Sequence, residues 1–487
     1  MPSAPVAAGT VVQTNIPQRL DRLPWSAWHL RVVLALGVTW TLDGLEASLV
    51  TNLGPILEER STLGLTATQV GVTNAVYLVG QVVGALAFGR LTDLWGRKRL
   101  FLVTLAIYLG ATGLSGLAPG LGVFCVFRFF AGTGIGGEYA AINSAIDELI
   151  PARLRGRVDL AVNGSYWIGV VLGACVTQLL LDPRVVPQAW GWRLAFLLGS
   201  VLGLGILFVR RHMPESPRWL LMHGRIEESE ASLRTIETAV AQSHGELPEA
   251  PPRAPLRVTG AVGILYTARV LLKRLRRRTV LGLALMVAQT LFYNAVFFSL
   301  ALVLTRFYGV PVDHAGRYVI PFAVGNFFGP VLLGHFFDVV GRRVMIASTY
   351  VLSGALLVAS GYAFQQGWLD ATTQTVSWCV VFFFASAAAS SAYLTVSELF
   401  PVEIRGMAIA LFYATATLVG ASSPALLGAL IESGSRPAVF HGYVVGAAAM
   451  IAAGIVAAFL GVPAEGKSLE QLQPTEAGEL PPAEAGE

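Results

Sequence analysis

The sequence predicts an all-α membrane protein, with twelve transmembrane helices in two pseudo-symmetric six-helix bundles. Three observations predict it. First, the 487 residues are 54% hydrophobic and only 13% charged, about half the charge of a soluble globular chain. Second, mean hydropathy is +0.62, and the apolar residues gather in long stretches separated by short charged loops. Third, two motifs recur at nearly one offset. "GRLTDLWGRKR" at 89–99 returns as "GHFFDVVGRRV" 245 residues later (334 against 89). "ELIPARLRG" at 148–156 returns as "ELFPVEIRG" 250 residues later (398 against 148).

A stretch of ~20 apolar residues crosses a bilayer as a helix. Lipid offers backbone groups no partners, so only helices and closed barrels span, and these stretches are too long for barrel strands. In the first half the spans fall near 30–57, 67–88, 100–118, 121–148, 158–181 and 191–210. In the second they fall near 279–307, 315–336, 344–364, 374–397, 407–431 and 437–460. This divides the chain into a tail (1–29), a six-helix bundle (30–210), a polar linker (211–278), a second bundle (279–460) and a second tail (461–487). The linker includes the proline-rich "ELPEAPPRAP".

Lysine and arginine set orientation, because cytoplasmic loops carry their excess. Arg97, Lys98, Arg99, Arg153, Arg155, Arg157, Arg342, Arg343 and Arg405 fall in alternate loops, on the side that also holds "KRLRRR" at 273–278. The opposite loops hold little beyond Arg60, Arg184 and Arg436. Both termini are therefore expected in the cytoplasm, and no signal peptide is read at the start. The net charge of +4 reflects this bias and not nucleic-acid binding. Cys125, Cys175 and Cys379 all fall inside spans, with no metal-ligand spacing.

Two cofactor patterns lack their contexts. "RFFAGTGIGGEY" at 128–139 contains G-x-G-x-x-G in Gly132, Gly134 and Gly137, with Asp159 about twenty positions on. A dinucleotide turn needs a strand, a turn and a helix N-terminus. Here the glycines continue through one apolar span, where small residues let helix backbones approach closely. "GVPAEGKS" at 461–468 fits the phosphate-loop pattern but follows a span and precedes a polar tail. "NGS" at 163–165 falls within a span. Neither a cofactor nor a nucleotide is expected.

The layout resembles the major facilitator superfamily over nearly the entire membrane portion. The carriers of the resemblance are G-x-x-x-D-x-x-G-R-[KR] between the second and third spans, "PESPRWLL" at 214–221, and "VPAEGKSLEQL" after the last span. "PESPRWLL" is shared by sugar porters and their organic-ion and synaptic-vesicle-glycoprotein-like relatives. Repeated halves imply a central site and rocking about it.

Ionisable groups deep in a span are costly and usually face the bundle interior. Asp43 and Glu46 in "LDGLE" share one face of the first span, and Arg128 and Glu138 lie in the fourth. Counting at 1.5 Å per residue puts Asp43 about 20 Å above the inner end and Arg128 about 11 Å below the outer end. In a core of about 30 Å they share a depth. The resemblance to proton-coupled sugar porters implies Asp43 as proton acceptor and Arg128 as its counter-charge. Glu138, ten residues beyond Arg128, is read either as receiving the proton on its way in or as a polar lining residue. "DGLE" also resembles the first helix of aromatic-acid/proton symporters.

Expected substrate contacts are Gln289, Tyr293 and Asn294 in "VAQTLFYNAVFF", Asn163, Tyr166 and Trp167 in the fifth span, and Tyr393 in the tenth. Sugar porters carry Q-Q-x-x-G-x-N in the seventh span. Ala288 and Phe292 replace the first glutamine and the glycine here, and Tyr393 stands where tryptophan is expected. Amides, hydroxyls and aromatic faces suit a sugar, a polyol, or an organic or aromatic acid. The resemblance makes Asp93, Arg97, Glu148 and Arg155, repeated as Asp338, Arg342, Glu398 and Arg405, a cytoplasmic gate. The resulting expectation is a monomeric, proton-coupled symporter of a small polar metabolite in the plasma (inner) membrane. A uniporter or an efflux antiporter of the same fold is the alternative. A non-transporting sensor is disfavoured by the repeated gate, and an enzyme by the lack of any nucleophile–base set.

Overall fold

The structure is a computed structural model that describes residues 10–57, 62–65, 67–95, 97–180, 184–210, 215–257, 263–297, 300–401, 404–421, 423–467 and 471–472. An arm of strand β1 (Val11–Thr14) and helix α1 (Ile16–Asp21) precedes the first span. The first half then comprises α2 (Ala27–Leu57), α3 (Ala67–Trp95), α4 (Arg97–Ser115), α5 (Leu121–Leu149), α6 (Arg155–Gly164), α7 (Tyr166–Leu180) and α8 (Gln188–Arg210). The linker holds α9 (Pro217–Met222), α10 (Ile226–His244), β2 (Ala254–Arg257) and α11 (Ile264–Lys273). The second half comprises α12 (Arg276–Phe297), α13 (Leu300–Tyr308), α14 (Val312–Val339), α15 (Arg342–Gln365), α16 (Ala371–Glu398), α17 (Arg405–Gly420), α18 (Ser423–Glu432) and α19 (Arg436–Leu460).

Among the described residues, the fifth predicted span is built from two helices, α6 with α7. The fifth span breaks at the Gly164–Ser165 pair, a common cause of kinks. The Ser165 hydroxyl turns back to the carbonyls of Val162 and Gly37, and Thr41 of α2 donates to the Ser165 carbonyl at 3.1 Å. That carbonyl also accepts from the Ile168 amide at 3.1 Å, so the neighbouring helix adds a bond at the kink.

The packing repeats with the sequence. In the first half α2 packs on α7, α3 on α5, and α4 on α8; in the second α12 packs on α17, α14 on α16, and α15 on α19. The halves meet along α3 with α17, and along α6 and α7 with α14. Large apolar side chains such as Val445 and Phe459 face outward, as a lipid-facing surface requires, while Asp43, Glu46, Arg128 and Arg155 are buried.

The glycine run in α5 is a packing surface. A Cβ on Gly132 would overlap the Tyr77 carbonyl oxygen, one on Gly134 would crowd Tyr108 of α4, and one on Gly137 would press on Phe88 of α3. The three glycines of the dinucleotide-like pattern therefore serve helix contacts on two sides.

The region before the first span and the linker are more ordered than a tail and a spacer. β1 pairs antiparallel with β2, Val11 opposite Arg257. Arg19 of α1 bonds Glu230 (2.9 Å) and Glu237 (2.6 Å) of α10, and Arg22 bonds Glu237 (2.8 Å). α10 buries Leu233, Ile236 and Val240, three positions on one helical face.

Candidate functional site

A cavity of ≈ 220 Å³ lies between the halves. On the first-half side, α2 contributes Trp40, Asp43 and Ala47, and α3 contributes Tyr77, Leu78 and Gln81. Asn163 of α6 and Tyr166 and Trp167 of α7 complete this wall. On the other side α12 supplies Gln289, Thr290, Tyr293, Asn294 and Phe297. Ser386, Ala389, Ser390 and Tyr393 of α16, with Tyr413 and Thr417 of α17, close it. All seven residues expected to contact substrate line this one cavity. So do Trp40, Tyr77, Gln81 and Tyr413, which the sequence reading passed over. Trp40 and Ala47 stand three before and four after Asp43, so helical spacing from the acid would have found them. Gln81 is an amide near the middle of an apolar span, and Tyr77 lies one turn before it.

Local hydrogen bonds fix how the polar groups point. Asn294 donates to the Gly420 carbonyl at 2.8 Å. Asn163 donates to the Asp159 carbonyl (2.9 Å) and carboxylate (3.1 Å). Because these partners only accept, the amide orientation is determined, and each side chain keeps its own Oδ1 as an acceptor. Tyr293 donates to Asn326 at 2.9 Å. Across the halves, Tyr413 donates to Gln81 at 3.2 Å. Trp40 meets Tyr393 and Trp167 meets Tyr293, with ring centroids 5.8 and 5.9 Å apart.

In the charged cluster Arg128 has a partner that the depth count did not name. Arg128 hydrogen-bonds Glu46 through Nη1 and Oε1 at 2.5 Å, and both side chains are 1% exposed. Thr112 donates to the other Glu46 oxygen at 2.9 Å. Asp43 lines the cavity. Depth alone does not separate two acids three residues apart; rotation about α2 does, since three residues turn the helix by about 300°. The Arg128 guanidinium carbon lies 4.1 Å from the centroid of the Tyr77 ring, within cation–π range. A cleft of ≈ 10 Å³ is lined by Asp43, Glu138, Thr39, Trp40, Tyr108, Ile135 and Ile142. That is about the room for one water.

At one end of the molecule the residues of the repeated charged motifs bridge the halves. Arg342 bonds Asp338 (2.7 Å) and Glu398 (3.2 Å) within the second half. Arg155 of the first half reaches Glu398 at 3.6 Å, and the Arg157 amide donates to Asp338 at 3.0 Å. A Cβ at Gly156 would overlap Arg342, so the repeated "RG" keeps room for that crossing. Arg405 donates to the Phe400 carbonyl at 3.1 Å, and Glu148 is buried. The side chains of Asp93 and Arg97 lie outside the described residues. Asp21 of the arm, missed in the sequence, bonds Arg218 at 2.7 Å and approaches Arg155 at 3.8 Å.

Two repeated helical bundles around a central cavity, joined on one side by paired ionic contacts, have the major facilitator fold. The chain belongs to the sugar (and other) transporter family, whose model matches residues 46–475. It is similar to the niacin transporter NiaP of Acinetobacter baylyi, 25% identical over 460 residues, covering 94% of this chain and 99% of that one. The putative metabolite transport protein YdjK of Escherichia coli is 26% identical over 479 residues, covering 95% and 98%. Among solved structures, the proton:xylose symporter XylE bound to 6-bromo-6-deoxy-D-glucose superposes with a TM-score of 0.76 at 21% identity, covering 91% of this chain and 98% of that one. The protein is an integral membrane transporter of small molecules and not an enzyme.

Proposed function

We propose that this transporter is a proton-coupled symporter, moving a small polar metabolite through the central cavity by alternating access. It acts in the plasma (inner) membrane as a monomer, with both termini cytoplasmic. The observation that carries the reading is the position of Asp43, which faces the cavity on one side and the cleft shared with Glu138 on the other. A proton taken up by Asp43 beside the substrate has a one-water path to Glu138, nearer the cytoplasm. Arg128 and Glu46 form the fixed pair behind the acceptor. Gln289, Asn294, Asn163 and the aromatic walls hold the substrate, and amide oxygens with stacking faces suit a sugar, a polyol, or an organic or aromatic acid. Asp93, Arg97, Glu148 and Arg155, with Asp338, Arg342, Glu398 and Arg405, keep the cytoplasmic side shut until the loaded carrier turns. The names of similar proteins, a niacin transporter and a proton:xylose symporter, agree with this reading.

The experiment is purified protein in liposomes, screened for uptake of sugars, polyols and aromatic acids under an inward proton gradient. Symport requires substrate accumulation together with alkalinisation outside. Substrate flux without proton movement makes the protein a uniporter; protons moving against the substrate make it an antiporter.

A further inference from the structure

Two buried hydrogen-bond donors belong to residues stacked on one another at the cavity wall, Tyr77 and Arg128. The Nε of Arg128 and the hydroxyl of Tyr77 have no hydrogen-bond partner among the described residues, and the two residues are only 1% and 8% exposed. Buried polar groups are nearly always satisfied, and an orphan needs a reason. Both belong to one local device. The Tyr77 carbonyl is seated against Gly132, one turn along α5 from Arg128, and this close approach sets the Tyr77 ring over the guanidinium. Tyr77 also lines the cavity, so it separates the substrate space from the Arg128–Glu46 pair.

From this we infer that Tyr77 and Arg128 form a carboxylate subsite, and that the substrate is a small monocarboxylate with an aromatic or similarly flat body. The inference rests on the reading of the cavity as the transport site. A carboxylate accepts from both orphan donors, and charge-assisted bonds of this kind are the strong ones. The Tyr77 ring swings aside to admit it, while Nη1 of Arg128 stays on Glu46. The aromatic side chains of Trp40, Tyr166, Trp167, Tyr293 and Tyr393 receive the flat body. Asp43 makes the proton obligatory. Ionised, it faces the same space and repels an anion; protonated, it does not. Loading therefore adds one proton, on an Asp43 oxygen, and one carboxylate, and the net charge of the site is unchanged.

The test uses a near-isosteric series, 4-hydroxybenzoate, 4-hydroxybenzamide and 4-hydroxybenzylamine, with binding read by quenching of tryptophan fluorescence in the purified protein. The acid should bind at least about tenfold tighter than the amide, and the amine weakest. Tyr77→Phe keeps the ring and removes the hydroxyl, so it should lower the acid-over-amide preference by about tenfold, the scale of a hydrogen bond to a charged group. That ratio is insensitive to a general loss of folded protein. If Tyr77→Phe does not fold, the wild-type ranking decides. Equal binding of acid and amide, a preference for the amine, no binding of any probe at millimolar concentration, or an unchanged ratio in Tyr77→Phe would overturn the subsite. The same series in liposomes, corrected for empty vesicles, separates the two ideas. Proton-driven accumulation of the amide keeps the transport reading and removes the subsite. Tyr77-dependent acid binding without any carrier-mediated flux keeps the subsite and removes the transport reading.

Discussion

Asp43 touches both the cavity and the cleft toward Glu138, so a change there acts on substrate and proton together. Asp43→Asn mimics the protonated acid permanently. It should abolish uphill uptake driven by a proton gradient and leave downhill substrate exchange measurable in liposomes; undiminished uphill uptake would move the proton site to Glu46 or Glu138. Asn294 acts differently, because its amide holds the Gly420 carbonyl as well as facing the cavity. Asn294→Ala should weaken substrate binding by ~1 kcal/mol. Titration alongside a melting curve checks it, and unaltered affinity with unaltered melting removes Asn294 from the site. The residue types of this site were legible because a charge or amide inside a membrane span is conspicuous. Who pairs with whom was not. Asp43 and Glu46 lie only about 4.5 Å apart in depth, and it is the packing of α2 in the bundle that brings Glu46 to Arg128. Tyr77 was invisible for the opposite reason, since a tyrosine in an apolar helix carries no signal until its neighbours are known.

The arm and α10 share a buried apolar cluster and are tied at its edge by ion pairs. Burial pushes the Glu237 carboxyl up, but the hydrogen bonds from Arg19 and Arg22 outweigh it and hold Glu237 below its ordinary value of 4.5. A lowered carboxyl contributes stability that is complete above 4.5 and is lost as pH falls through the folded value. The β1–β2 pairing should therefore be constant at cytoplasmic pH and loosen only in acid. Hydrogen exchange at Val11–Thr14, corrected for intrinsic rates, reads this. Glu237→Gln should cost ~1 kcal/mol at neutral pH and remove the acid transition; an acid transition that persists would place its cause elsewhere. The spans themselves were readable because apolar length is a local property. The kink at Gly164–Ser165 and the β1–β2 pair were not, because each depends on a partner distant in the chain: Gly37 and Thr41 for the kink, residues 254–257 for the strand.

At the scale of the whole molecule, the repeat predicted two bundles, and the arrangement of helices follows it pair by pair. What the repeat did not reveal is that its ionic motifs cross-link the halves. Arg155 and the Arg157 amide come from one half, Glu398 and Asp338 from the other. In an alternating-access cycle such contacts would have to part when this side opens. Arg155→Ala should shift the population toward the inward-open form and reduce net transport while substrate still binds. Spin-label distances between the cytoplasmic ends of α5 and α16 would report it, and an unchanged distribution with unchanged uptake would rule out Arg155 as a latch.

The pairing of Val11 with Arg257 also dictates an order of assembly. The amino-terminal strand leaves the ribosome first, yet its partner follows some 240 residues later, after all six spans of the first bundle. At about 5–20 residues per second the strand waits roughly ten seconds or longer. The first bundle is therefore made with this clasp still open, and the clasp fastens only once the linker has been made.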